Sequence, residues 1–123
     1  MENHPSVNPE MFGRSGIFAG NCYKVAADLM LASRNKKFVL VHGLLEGKVM
    51  FDGLIIGHAW IEMGDVVIDE ANGRKFYIEK EEYYRTRHVI HVRKYTLEEA
   101  RTLKKRFGTY GPWDDDVKPP AQK

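Results

Sequence analysis

The chain has 123 residues, 43% of them hydrophobic and 29% charged, which is the make-up of one globular domain with a real core. With 19 basic residues against 17 acidic ones the net charge is +2, too balanced for a nucleic-acid-binding surface, and no apolar run approaches the roughly 20 residues of a membrane span. The single cysteine excludes an internal disulfide, and the opening Met-Glu-Asn-His-Pro lacks the basic and apolar regions of a signal peptide, so a cytoplasmic site of action is expected.

Residues 1–15, rich in Pro, Asn, Ser and Gly, read as an irregular arm that Phe12, Ile17 and Phe18 could pin to the body. From Asn21 the pattern turns helical: Val25, Ala26, Leu29 and Met30 recur at three- and four-residue spacing. Asn21 is a favoured N-cap residue, so the helix is expected from Cys22 to Ser33, with Arg34 to Lys37 closing it. Phe38-Val39-Leu40-Val41 reads as a buried strand leading into His42-Gly43. Leu44 to Ile56 is ambiguous: a continuing strand, then a turn at Glu46-Gly47 and a second piece at Val49–Phe51 is one reading.

Residues 57–72 have two apolar runs, Ala59-Trp60-Ile61 and Val66-Val67-Ile68, interrupted at Gly64-Asp65, the pattern of a β-hairpin. A two-residue turn at Met63-Gly64 sets Glu62 opposite Asp65, Trp60 opposite Val67 and His58 opposite Asp69. Directly opposed side chains share a face, with Cβ atoms about 5 Å apart, so an imidazole meets a carboxylate. Glu62 and Asp65 flank the turn and read as solvated. Asn72-Gly73 signals another turn and Lys75 to Ile78 a strand. Glu79 to His88 reads as a short helix with Tyr83, Tyr84 and Arg87 in packing or surface contacts. Val89 to Tyr95 alternates as a strand does. Thr96 with Glu99 forms a capping-box pattern for a helix that ends at Gly108, and Arg101, Lys104, Lys105 and Arg106 suit its solvated face. Residues 111–123 read as a flexible tail, tacked down at its start by Tyr110 and Trp113. The expected architecture is a single α+β domain over residues 16–110: an N-terminal helix packed on a mostly antiparallel sheet, with two further short helices.

Cys22 at a helix N-terminus would feel the macrodipole and free N–H groups, which stabilise a thiolate and bind an oxyanion. A lone cysteine is equally a small buried hydrophobe. Combined with His58 and Asp69, however, it supplies the nucleophile, the base and the group that orients the base, the set that thiol-based acyl chemistry needs. The oxyanion side chain stays open among Asn21, Asn8 and Asn3. Trp60, two residues from His58, shares its face and either walls the site or packs in the core, and His42 is either structural or substrate-lining. No Cys-x-x-Cys or His-x-x-x-His spacing is present, so no metal or cofactor is expected.

The ordered series Gly20-Asn21-Cys22, Val41-His42-Gly43, His58-Ala59-Trp60-Ile61-Glu62 and Val67-Ile68-Asp69 resembles the transglutaminase-like branch of the papain-like cysteine enzymes, over roughly residues 16–72. The resemblance implies a papain/transglutaminase-like fold with Cys22 as nucleophile, His58 as general base and Asp69 as orienting acid. It also implies peptide or amide hydrolysis, deamidation or acyl transfer through a thioester, on a protein, peptide or amide substrate. Asn21, Trp60 and His42 would then contact substrate. The chain departs from the family after Asp69, where Glu70-Ala71-Asn72 stands in place of the Trp and Pro often found there. The alternative is an inactive protein-binding module on the same fold, with Tyr83, Tyr84, Tyr110 and Trp113 as contact residues.

Overall fold

The computed structural model describes residues 15–46, 54–71 and 73–120. In chain order the elements are α1 (Ser15–Ala32), β1 (Phe38–Glu46), β2 (Ile55–Met63), β3 (Val66–Ala71), β4 (Arg74–Glu79), α2 (Lys80–Thr86), β5 (Val89–Tyr95) and α3 (Leu97–Phe107), followed by a 3-10 turn at Asp115–Val117. The arm residues Phe12, Asn3 and Asn8, and the strand piece expected at Val49–Phe51, lie outside the described residues.

The five strands form one sheet in the order β4-β3-β2-β1-β5, with every neighbouring pair antiparallel. β1 to β4 are laid down as a meander. α2 then carries the chain back across the sheet so that β5 can pair with the far edge of β1. The β1–β5 register shifts between Leu44 and Leu45, where Val89 pairs with Leu45 and His91 with Leu44. The extra residue, Ile90, makes a bulge that turns both Val89 and Val92 toward the core under α2.

Strand alternation divides the interior into two cores. On one face Leu40, Ala59, Ile61, Ile68 and Tyr95 pack against Cys22, Tyr23, Ala26 and Met30 of α1 and Ala100 of α3. On the other, Val41, Leu45, Trp60 and Val67 pack against Tyr83 of α2. Both faces of the central strands are therefore covered, which is why β1 and β2 read as nearly continuous apolar runs.

Three local features differ from the sequence reading, and one resolves a reading that the sequence left open. α1 opens at Ser15, not at Cys22, so Asn21 is an exposed residue inside the helix and not its N-cap. A helical glycine costs only about 1 kcal/mol relative to alanine, too little for Gly16 or Gly20 to stop a helix that packs along β2. β1 runs through Gly43 to Glu46, as the continuing-strand reading has it, so the glycine marks no strand end. Glycine is needed there for another reason: a Cβ on Gly43 would come 2.5 Å from the Trp60 ring. The β2–β3 turn is Gly64-Asp65, with Gly64 at φ 60°, the two-residue hairpin that takes glycine first. Finally, residues 111–120 are folded onto the body, with Trp113 6% and Val117 0% exposed. Asp116 accepts two hydrogen bonds from Arg93 Nε (2.9 and 3.1 Å), and Tyr95 donates to Asp114, so this segment is stitched along β5.

The cap chemistry of α3 follows the sequence. Thr96 accepts from the Glu99 amide, the Glu99 carboxylate accepts from the Thr96 amide, and Gly108 closes the helix in the left-handed region.

Candidate functional site

The turn at Gly64-Asp65 moves the hairpin register by two. Glu62 pairs with Val67 and Ile61 with Ile68, so continuing the same pairing puts Asp69 opposite Trp60 and leaves His58 diagonal to it. A shift of two keeps each side chain on its own face, because alternation has period two. Backbone pairing between β2 and β3 stops at Ile61–Ile68. The next link between the strands is made by side chains: His58 Nε2 lies 3.1 Å from both carboxylate oxygens of Asp69. Both groups are buried, each 9% exposed.

Cys22 belongs to the core under α1, while His58 packs beside Trp60 of the core under α2, their rings 5.9 Å apart. Cys22 nonetheless acts on the imidazole and favours its protonated form. The cluster thus sits where the two cores meet. Cys22 is 8% exposed and lies about two helical turns from the start of α1. The helix-terminus argument for its reactivity therefore falls away.

Burial works against protonation of His58, but the charges of Asp69 and Cys22 and hydrogen bonds to both outweigh it and push the imidazole up to about 10. Burial alone would raise Asp69; the charge and hydrogen bond of His58, the Tyr83 hydroxyl and the Arg87 charge hold it below the usual carboxylate range instead. The favoured state at neutral pH is an imidazolium against a carboxylate.

Two of the three expected substrate contacts, His42 and Trp60, are buried. His42 is 0% exposed and points into the core under α1, so a substrate cannot reach it. Tyr23, Tyr95 and Trp113 surround it with ring centroids at 5.0, 5.0 and 4.8 Å, and its ring nitrogens find no hydrogen-bond partner among the described residues. Burial drives it down to about 3, against the opposing pull of Asp114, so it is neutral. Asn21 is exposed on α1 beside Cys22. Trp60, 1% exposed, backs the imidazole from inside the core.

Sequence reasoning missed two residues. Glu62 is 3% exposed, not solvated: it accepts from Trp60 Nε1 (3.1 Å) and Tyr84 Oη and pairs with Lys94 Nζ at 3.0 Å. Its place on the strand, two on from Trp60 and four from His58, was the available signal. Tyr83 is 0% exposed and donates to Asp69 Oδ2 at 2.7 Å. Its burial, with that of Trp113, also removes half of the aromatic contact set expected of a binding module. Among the described residues no group of three or more His, Cys, Asp or Glu could hold a metal ion, and no helix is long and apolar enough to cross a membrane. No family model matches the chain, and no curated protein or solved structure matches it either.

Proposed function

We propose that this chain is a cysteine-dependent enzyme acting on amides, with a papain/transglutaminase-like arrangement of its α+β fold. One observation carries the reading: a buried imidazole lies 3.1 Å from both oxygens of the Asp69 carboxylate, and Cys22 is among the groups that favour its protonated form. The motif series around Gly20-Asn21-Cys22 and His58-Ala59-Trp60 supports it.

In this reading the proton of Cys22 resides on His58, and Asp69 holds the ring in place and stabilises its charge. The sulfur attacks an amide carbonyl, forming a C–S bond and a tetrahedral oxyanion. As the C–N bond breaks, the imidazolium passes its proton to the departing amine, leaving a thioester on Cys22 and a neutral His58. Water or a second amine then attacks the thioester while His58 takes its proton. The sulfur leaves, and hydrolysis, deamidation or acyl transfer results according to the acceptor and the amide attacked.

Cys22 is the single cysteine, so alkylation of the intact protein reports on one sulfur. The rate with iodoacetamide is expected to stay nearly constant from pH 8.5 down to pH 6, where an ordinary thiol of pKa about 8.5 is well under 1% ionised. His58→Ala should restore the ordinary profile, slowing the pH 6 reaction by about 100-fold. A wild-type rate that falls tenfold per pH unit below pH 8, matching the urea-unfolded chain, overturns the proposal.

A further inference from the structure

A carboxylate that orients a base must itself be held. His58 cannot do this alone, because its Nε2–H is shared between two oxygens at equal distance and permits rotation of the carboxylate about its Cβ–Cγ bond. The second contact comes from α2. Tyr83 donates to Oδ2 at 2.7 Å, and its ring is itself fixed, with Trp60 at 5.0 Å on one side and the Arg87 guanidinium 5.3 Å from its centroid. The arrangement is buried, with Tyr83 0% exposed and Asp69 9%. The charged and titratable groups facing Asp69 are His58 from β2, Tyr83 and Arg87 from α2 and its C-cap, and Cys22 from α1 beyond the imidazole.

We infer that Tyr83 is a positioning residue, which fixes the rotation of the Asp69 carboxylate and through it the orientation and charge of His58. The inference rests on the reading of Cys22, His58 and Asp69 as a reacting set, yet its main observable is the imidazole itself. The phenol is well suited to this work. Burial and the neighbouring carboxylate hold the Tyr83 hydroxyl well above its ordinary value, so it stays a hydrogen-bond donor through the working range of pH. A phenylalanine there keeps the ring, its packing on Trp60 and its contact with Arg87, and removes only the donor. Asp69 then retains a buried lone pair without its second partner, and the carboxylate is free to turn from His58 toward any other donor.

The test uses the full chain and four proteins: wild type, Tyr83→Phe, Asp69→Asn and the double variant. The His58 ring is followed by heteronuclear NMR across pH 5 to 11, and Cys22 alkylation is measured at pH 6. Tyr83→Phe is expected to lower the His58 midpoint by about one pH unit and to slow alkylation about three- to tenfold. Asp69→Asn should lower both further. Because Tyr83 acts through Asp69, adding Tyr83→Phe to Asp69→Asn should change neither quantity again. A His58 midpoint that is unchanged or raised in Tyr83→Phe overturns the inference, as does an undiminished further effect in the Asp69→Asn background, which marks simple core packing. If wild-type Cys22 alkylates as an ordinary thiol while the His58 midpoints behave as stated, the proposed chemistry fails and the positioning role of Tyr83 stands.

Discussion

His42 offers a quantitative test of how the aromatic box under α1 is built. Its side chain is fully buried among Tyr23, Tyr95 and Trp113 and is held neutral, with a folded-state value of about 3 against 6.5 for the free group. Below pH 6.5 the unfolded chain takes up a proton here that the folded chain refuses. Its contribution to stability is therefore complete above pH 6.5 and is lost progressively as pH falls toward 3. Each pH unit well inside that window is worth about 1.4 kcal/mol, so lowering the pH from 6.5 to 4.5 costs about 2 kcal/mol from this one residue. That is a large part of the stability of a small domain, which is typically about 5–15 kcal/mol. The perturbation is His42→Phe, which preserves an aromatic ring in the box and cannot titrate. Urea unfolding of wild type and variant is measured at half-unit intervals from pH 7 to pH 4.5, and the difference in free energy is plotted against pH. Other histidines and carboxylates act on both proteins and cancel. The difference should move in favour of the variant by about 2 kcal/mol between pH 6.5 and 4.5. Because the substitution also removes ring nitrogens that lack partners among the described residues, His42→Phe should be at least as stable at pH 7. A difference that stays flat within about 0.5 kcal/mol across the range refutes the reasoning, since His42 would then be protonating inside the fold.

Gly43→Ala places a methyl group 2.5 Å from the Trp60 ring and 3.2 Å from the His91 carbonyl oxygen, so it should destabilise by the overpacking cost of about 1–3 kcal/mol, read from the urea midpoint. The displaced indole would also disturb the packing behind His58, so the same variant should broaden the His58 NMR signal. Glu62→Ala leaves the buried Trp60 N–H and the Tyr84 hydroxyl without their acceptor, a loss of about 1–3 kcal/mol for each group that stays dry, measurable by the same unfolding experiment.

The hairpin was legible because its logic is coarse. Placing the turn one residue early changed which residue stood opposite Asp69, yet an even shift cannot move a side chain off its face, so the meeting of His58 and Asp69 survived the error. The α3 helix was legible down to its caps because Thr96, Glu99 and Gly108 act within their own turns. The start of α1 was not, since two glycines weaken a helix without dictating its end. Glu62 was misjudged because the groups that bury it, Tyr84 and Lys94, arrive from α2 and β5, far along the chain. Sequence leaves His42 either structural or substrate-lining, because nothing local to it shows its burial. Only the return of Trp113 and the extension of β1 past Gly43 close it in. Tyr83 falls in a seven-residue helix, too short to display a periodic apolar face, so its inward direction left little trace in the sequence.

The spacing of the contacts around Asp69 has a consequence for how the cluster comes into being. Its partners His58 and Tyr83 lie 11 and 14 residues away, so all three belong to the contiguous stretch 58–83 of β2, β3, β4 and α2. Short loops close at low entropic cost, and a meander followed by a helix is the kind of segment that forms as one cooperative unit. The sulfur comes from outside that unit, on a helix that must dock over a longer loop. The imidazole and its carboxylate are therefore neighbours within one contiguous segment, and the sulfur reaches them from a helix outside it. Under the proposed chemistry, loss of the α1 docking would remove the sulfur while leaving the His58–Asp69 pair within its own segment.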